Sequence, residues 1–270
     1  MEKNHELKRY NIKPIRELTQ AEIEQIATEV IKKIETIMVD FDGNYMYEHI
    51  VKSKMYLAKI PEQYTNVNYI VSTNSIYIRD EENIKEIDEI MFHEIIHYIQ
   101  CNQENNIGAM PEQMGLCKLH GYIITGLAIN EVAIQLIISL VFNNKQENTN
   151  YFGIKVKAIQ NKSFPILCAL LQQITYVLGY KELLTSILEN TDDFKEAFEK
   201  FAGKKSYDFL RNSFDKMMNA RDKIASDRRD LKRAKNIKNR RMIERRIKIY
   251  TRRNSKSLFS STKIMLYRIF

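Results

Sequence analysis

The sequence predicts a mostly helical α+β fold, and three observations carry that prediction. Apolar residues form 44% of the 270 and recur mainly at helical spacing. Glycine (8) and proline (4) are too scarce to supply the turns of an all-β chain. Two short early stretches, Lys54–Ile60 and Asn68–Arg79, read instead as strands and stand just before an apolar segment at about Ile84–Ile99. A small sheet, an apolar helix beside it and a helical C-terminal half are therefore expected. The length suits one domain with an extension: 1–218, with its core at roughly 54–142 and a helical part at 150–218, then 219–270 as a basic, mainly helical segment.

The first element starts at Thr19, where Thr19-x-x-Glu22 has the form of a capping box. Ile23, Ile26, Val30, Ile31, Ile34, Ile37 and Met38 then mark one buried helical stripe, with an end expected near Asp42-Gly43. Thr73-Asn74 reads as the turn of a hairpin. Asp80 is the expected cap of the next helix, with Glu81 and Glu82 facing the positive end of its dipole. Residues 102–111 read as loop. From Leu119 to Phe142 the chain is apolar again, with Glu131 its only charged residue inside a helical run. Phe164–Tyr180, Lys181–Glu189, Asp193–Phe201 and Tyr207–Met218 read as four further helices, punctuated by Gly179 and Gly203.

Within the segment at 84–99 lies His93-Glu94-Ile95-Ile96-His97, an H-E-x-x-H pattern. On a helix its two histidines share one face a turn apart, ready to grip one metal ion. With five histidines in the chain, an accidental match is expected in only about one such chain in a hundred. A catalytic metal site asks for a third protein ligand and one open position. Between His97 and Phe142 the acidic residues are Glu104, Glu112 and Glu131. Glu104 follows His97 too closely, and Glu112 stands in loop after Pro111. Glu131 is the preferred ligand, because a lone carboxylate in an apolar helix is costly to bury unless a cation offsets it. A solvent-facing or ion-paired Glu131 is the alternative, and His120 is the rival ligand.

His93-Glu94-x-x-His97 followed 34 positions later by Glu131 resembles the gluzincin clan of zinc metallopeptidases. Asn130-Glu131 is similar to the Asn-Glu pair of the thermolysin-like members, and the spacing is nearer to that of clostridial neurotoxin light chains. No His-x-x-Gly-x-x-His continues the motif, so a metzincin is disfavoured. The similarity spans about Tyr69–Phe142 and departs at Gln135, where thermolysin-like proteins place an acid. It implies a zincin-like small sheet with an active-site helix, and one Zn2+ ion on His93, His97 and Glu131. It further implies Glu94 as general base, hydrolysis of peptide bonds, and an extended protein or peptide substrate along an edge strand, Tyr69–Ser72 or Ser75–Arg79. Gln135 and Asn130 are expected to hydrogen-bond the ligands from behind, though either also reads as helix surface. Tyr151, Tyr176 and Tyr180 are candidate oxyanion donors, Tyr151 foremost.

The net charge of +8 is unevenly spread. Residues 221–257 hold 16 Lys or Arg against 4 Asp or Glu, whereas residues 1–220 carry a net −6. Pairs such as Arg228-Arg229, Arg240-Arg241 and Arg245-Arg246 could neutralise phosphates, so nucleic acid or an anionic surface is a possible partner. A charged surface helix that packs against the acidic body of the same protein is the plainer account. The second functional class is accordingly a binding or regulatory protein whose basic segment, rather than a hydrolytic site, does the work. Cys101, Cys117 and Cys168 are odd in number and form no C-x-x-C pair, which disfavours a disulfide framework. The charged N-terminus lacks a signal-peptide core, and no apolar run reaches membrane-spanning length. A cytoplasmic protein without a transmembrane segment is expected, with signal-independent export left open.

Overall fold

The computed structural model describes residues 5–38, 41–102, 112–120, 123–151, 154–159, 164–233, 239–253 and 256, with the backbone alone at 120, 149–151, 154–156 and 158. It is a mostly helical α+β protein with a small mixed sheet.

The sheet forms from β1 (Lys13–Glu17), β2 (Lys54–Lys59), β3 (Val67–Ile70) and β4 (Ser75–Arg79), in the order β1-β2-β4-β3. β2 and β4 run parallel, and the two outer pairs are antiparallel. Period-2 alternation sorts the side chains to two faces. Met55, Val67, Ile76 and Ile78 enter the main core, while Ala58, Ile70 and Tyr77 join a smaller cluster with Leu7 of α1 (His5–Tyr10) and Ile12. β4 is interior and β3 is an edge, so only the earlier of the two candidate substrate strands has a free side. The β3–β4 connection is a tight turn at Val71–Thr73 ending on left-handed Asn74, close to the hairpin expected at Thr73-Asn74. The sequence reading missed β1, because Lys13, Arg16 and Glu17 hide an edge strand whose side chains all face solvent.

α2 (Gln20–Glu35) carries the anticipated capping box on Thr19 and buries Ile23, Ile26, Val30 and Ile34. It ends at Glu35, earlier than expected. Asp42-Gly43 starts a further helix, α3 (Gly43–Val51), with the Asp42 carboxylate accepting from the Asn44 N–H. The helix bearing the H-E-x-x-H pattern, α4 (Glu89–Asn102), also starts later than expected. Asp80 is still tied to the sheet, its N–H donating to the Ala58 carbonyl at 3.1 Å. The true cap is Asp88, whose carboxylate accepts from the Met91 N–H at 2.7 Å.

The apolar stretch after Leu119 is not one helix. β5 (Gln113–Met114), β6 (Cys117–His120) and β7 (Ile123–Thr125) form a three-stranded sheet, after which α5 (Leu127–Val141) begins. Gly126, at φ 81°, makes the turn between them. The 150–218 part likewise opens on strand: β8 (Gln146–Tyr151) pairs with β9 (Ile154–Ile159), whose Ile154, Val156 and Ala158 alternate with Lys155 and Lys157. α6 (Pro165–Leu178), α7 (Tyr180–Leu188) and α8 (Asp193–Ala202) follow as expected, broken at Gly179 and Gly203. α9 (Ser206–Arg233) runs well past Met218. Residues 239–253 are helical too, and α10 denotes that segment. Of the loop expected at 102–111, Asn102 instead ends α4, and 103–111 lie outside the described residues.

α5 is the central helix, packing on α4, α6, α7 and α9. Phe92, Ile95, Ile96 and Ile99 of α4 and Ile129, Val132, Ala133 and Leu136 of α5 are fully buried in one core. Each large member contributes about 1.5–3 kcal/mol by burial, which fixes how these two helices meet. Among the described residues, no helix is long and apolar enough to cross a membrane. The three cysteines are free.

Candidate metal centre

His93 and His97 lie one turn apart on α4, so both imidazoles leave the same face. That face meets α5 where Glu131 projects. Nε2 of His93 and Nε2 of His97 are 2.9 Å apart. Oxygens of Glu131 lie 3.5 Å from the first and 3.3 Å from the second. Donor atoms held tetrahedrally at about 2.0–2.1 Å from an ion stand about 3.3 Å from one another. The group, all of whose ligand atoms fall within 4.8 Å of each other, could therefore hold a metal ion. Two imidazoles and one carboxylate suit a transition ion better than magnesium or calcium, which prefer an oxygen cage.

The charges of the three residues interlock. Burial opposes the imidazolium of His97, but the hydrogen bond and charge of Glu131, the charge of Glu94 and the Gln100 side chain outweigh it and raise its pKa. Burial likewise opposes the Glu131 carboxylate, yet His97 and then His93 hold its pKa below the ordinary value. His93 moves the other way, down to about 4, because burial and the neighbouring His97 charge both disfavour a second proton. A proton on His97 thus offsets Glu131 where a metal ion would do the same with two charges.

Glu94 is not one of the three residues whose ligand atoms converge. Its carboxylate accepts from the Tyr69 N–H at 2.8 Å, which places it between the triad and the edge strand β3. Burial raises its pKa above the usual carboxylate range, and the charge of His97 and the Tyr69 N–H only partly counter this. The carboxyl group is therefore easier to protonate than a surface glutamate.

Gln135 stands one turn beyond Glu131, and its amide nitrogen Nε2 lies 2.9 Å from Nδ1 of His93. For Nε2 of His93 to ligate a cation, Nδ1 must carry the proton, and the Gln135 amide then turns over so that its oxygen accepts there. Asn130 does something other than touch the ligands. Its Oδ1 accepts from the Leu116 N–H at 3.0 Å and from Nε2 of Gln100 at 3.2 Å, while its Nδ2 donates to Oε1 of Gln100 at 3.2 Å. It ties α5 to α4 and to the turn at Gly115. Among the described residues no hydrogen bond joins Tyr176 or Tyr180 to the triad, and Tyr176 is 84% exposed. The side chains of Tyr151 and His120 lie outside the described residues, as does Glu104.

Sequence reasoning missed Gln100, which is only 1% exposed. It bonds Asn130, the Ile187 carbonyl at 3.1 Å and, through its own carbonyl, Nδ2 of Asn190 at 2.8 Å. Its signal was present: a polar residue three positions after His97 on an otherwise buried helix face. Asp215 of α9 was missed as well. Its two oxygens accept from the N–H groups of Gly126 and Ala128, both at 3.1 Å, and cap the helix that carries Glu131. The chain matches no protein-family model, no curated protein and no solved structure, so what it does is to be argued from this geometry alone.

Proposed function

We propose that the protein is a zinc-dependent peptidase, similar in its site to the gluzincins, with Glu94 as its general base. The observation that carries this reading is the position of Glu94. It is partly buried, shifted towards the protonated acid, and held between three convergent ligand atoms and the outward edge of a strand. A zinc ion bound by His93, His97 and Glu131 would polarise a scissile carbonyl and acidify a water molecule towards neutral pKa. Glu94 would take the proton from such a water as its oxygen bonds to the carbonyl carbon, and the same carboxyl would give that proton to the amine nitrogen as the C–N bond breaks. Gln135 fixes the ring plane of His93, and β3 offers main-chain groups for an extended peptide.

Since the Tyr69 N–H turns away from β4 towards Glu94, Val67, two residues earlier, also faces outward. A peptide adding to β3 competes for the Tyr69 N–H and releases Glu94 for proton transfer. The test is Glu94→Gln measured beside the native chain, with metal content and hydrolysis of a fluorogenic peptide library as readouts. Equal zinc content with hydrolysis reduced by about 10²–10⁴-fold supports the proposal. Stoichiometric zinc with no hydrolysis by the native chain above that of the variant overturns it and favours a non-catalytic binding protein.

A further inference from the structure

The second feature that asks for a ligand lies far along the chain from the metal centre, between α9 and α10. These segments run antiparallel, since Asp227 pairs with Arg246 and, further back along α9, Lys223 meets Tyr250 further on along α10. The Asp227 carboxylate is only 9% exposed and receives the Arg246 guanidinium at 2.6 Å, and Ile224 and Ile243 are buried beside it. The hairpin is therefore pinned at its middle rather than being two loose solvated helices. On one side of that pin a cleft of about 610 Å³ opens, and Lys216, Lys223, Arg253 and Lys256 all line it, with Asn219 and Tyr250. No acidic residue lines it among the described residues.

We propose that this cleft binds a compact chain of phosphates, either free polyphosphate or the triphosphate tail of a nucleotide. Lys216, Lys223 and Arg253 bring three like charges to one concavity, where they repel one another, and a polyanion removes that repulsion. The volume is that of a small-molecule site. Lysine ammonium groups bind phosphate as point charges and Arg253 adds a planar fork of donors. A nucleobase finds little here, because the ammonium of Lys223 sits over the ring of Tyr250, 5.3 Å from its centroid, and covers a face on which a base would stack. Charge is what the cleft can read. Arg240 and Arg241 belong to the far side of the pin: Arg241 is twelve residues from Arg253, about 18 Å along a helix, beyond the screening length at physiological salt.

The experiment is calorimetric titration of the full chain, prepared without added metal, at physiological ionic strength. The probes are sodium tripolyphosphate, ATP, GTP and a short single-stranded oligonucleotide. The expected result is one saturable site per chain for tripolyphosphate. Lys216→Glu and Arg253→Glu should each weaken it by about tenfold or more, with melting temperatures unchanged, while Arg241→Glu leaves it intact. Should Arg253→Glu fail to fold, Lys216, an exposed residue at the cleft, keeps the comparison valid. ATP and GTP binding as tightly as tripolyphosphate assigns the site to nucleotide tails, and weaker binding of both assigns it to free polyphosphate. The proposal is overturned by the absence of saturable binding, by an equal loss in Arg241→Glu, or by tighter binding of the oligonucleotide than of tripolyphosphate.

Discussion

Replacing Glu131 by Gln separates the cost of the metal site from its use. Without an ion, the carboxylate is offset by His97 at 3.3 Å, where two unit charges attract by about 5 kcal/mol at an effective dielectric of 20. Desolvating both groups costs a similar several kcal/mol, since the side chains are only 22% and 24% exposed. The two effects nearly cancel, so metal-free Glu131→Gln should melt within roughly 1 kcal/mol of the native chain. With zinc the outcomes diverge. A native site at a thousand times its dissociation constant gains about 4 kcal/mol, or roughly 8–16 °C in a domain of this size. Residues that merely support a ligand cost about 10–100-fold in metal affinity when removed, and a direct ligand must cost more. A thousandfold loss would shrink the zinc-induced shift to about 1 °C at the same zinc concentration. Differential scanning fluorimetry against a zinc series reads both quantities. Equal zinc-induced shifts in the two proteins, or none in the native one, would refute the ligand role of Glu131.

Two further outcomes follow from the surroundings of the site. Gly115, at φ 56°, faces Gln100 and Asn130 so closely that a Cβ would collide with both side chains. Gly115→Ala should therefore cost about 2–4 kcal/mol, seen as a lower urea midpoint at unchanged slope, and a loss below about 0.5 kcal/mol would show the Gln100–Asn130 tie to be dispensable. The pKa of His93 falls from 6.5 to about 4 on folding, so the unfolded chain binds the extra proton between those values. His93 should lower metal-free stability as pH falls through that window, by about 3 kcal/mol at most, and Glu94, whose pKa is raised by burial, offsets part of the drop as it takes up its proton. His97, whose pKa is raised, contributes stability that is fully present below 6.5 and therefore does not reshape the window. Thermal melts in which His93→Gln keeps the same acid sensitivity as the native chain would contradict this assignment.

What the sequence disclosed, and what it withheld, follows the range of the interactions. The capping box at Thr19 and Glu22 and the turn of His93 and His97 are settled within four residues, and local spacing alone exposes them. Glu131 was legible for a different reason: it is the single charge in an apolar helix, and its isolation signals a compensating partner. The cap of α4 was misassigned because Asp80 and Asp88 are equivalent as residue types. Only the pairing of β2 with β4, which carries the chain in register through Arg79, decides between them. Gln100 stood out as a polar residue on a buried face, but its partners could not be read because they are 30 and 87 residues away. β1 was hidden because an edge strand with every side chain in solvent shows no alternation.

Asn130 changes most in meaning between sequence and structure. Next to Glu131 it suggested a group that supports the ligands directly, yet it turns to a different face of α5 and closes a two-way hydrogen-bonded pair with Gln100. Adjacent residues on a helix point about 100° apart, so Asn130 and Glu131 could not both face the histidines. The division has a mechanical consequence. Glu131 and Gln135, four apart on one face, reach the triad, while Asn130 on the next face holds α4 at the distance that lets them reach it. Both amide groups of that pair are buried and have partners, and leaving either one unmatched would cost about 1–3 kcal/mol. The pair therefore penalises any sliding of α4 along α5. A slide of a single residue, 1.5 Å, would already spoil donor separations of 2.9 to 3.5 Å around an ion. The apolar core sets how the two helices cross, and the Gln100–Asn130 pair sets the register in which they do so.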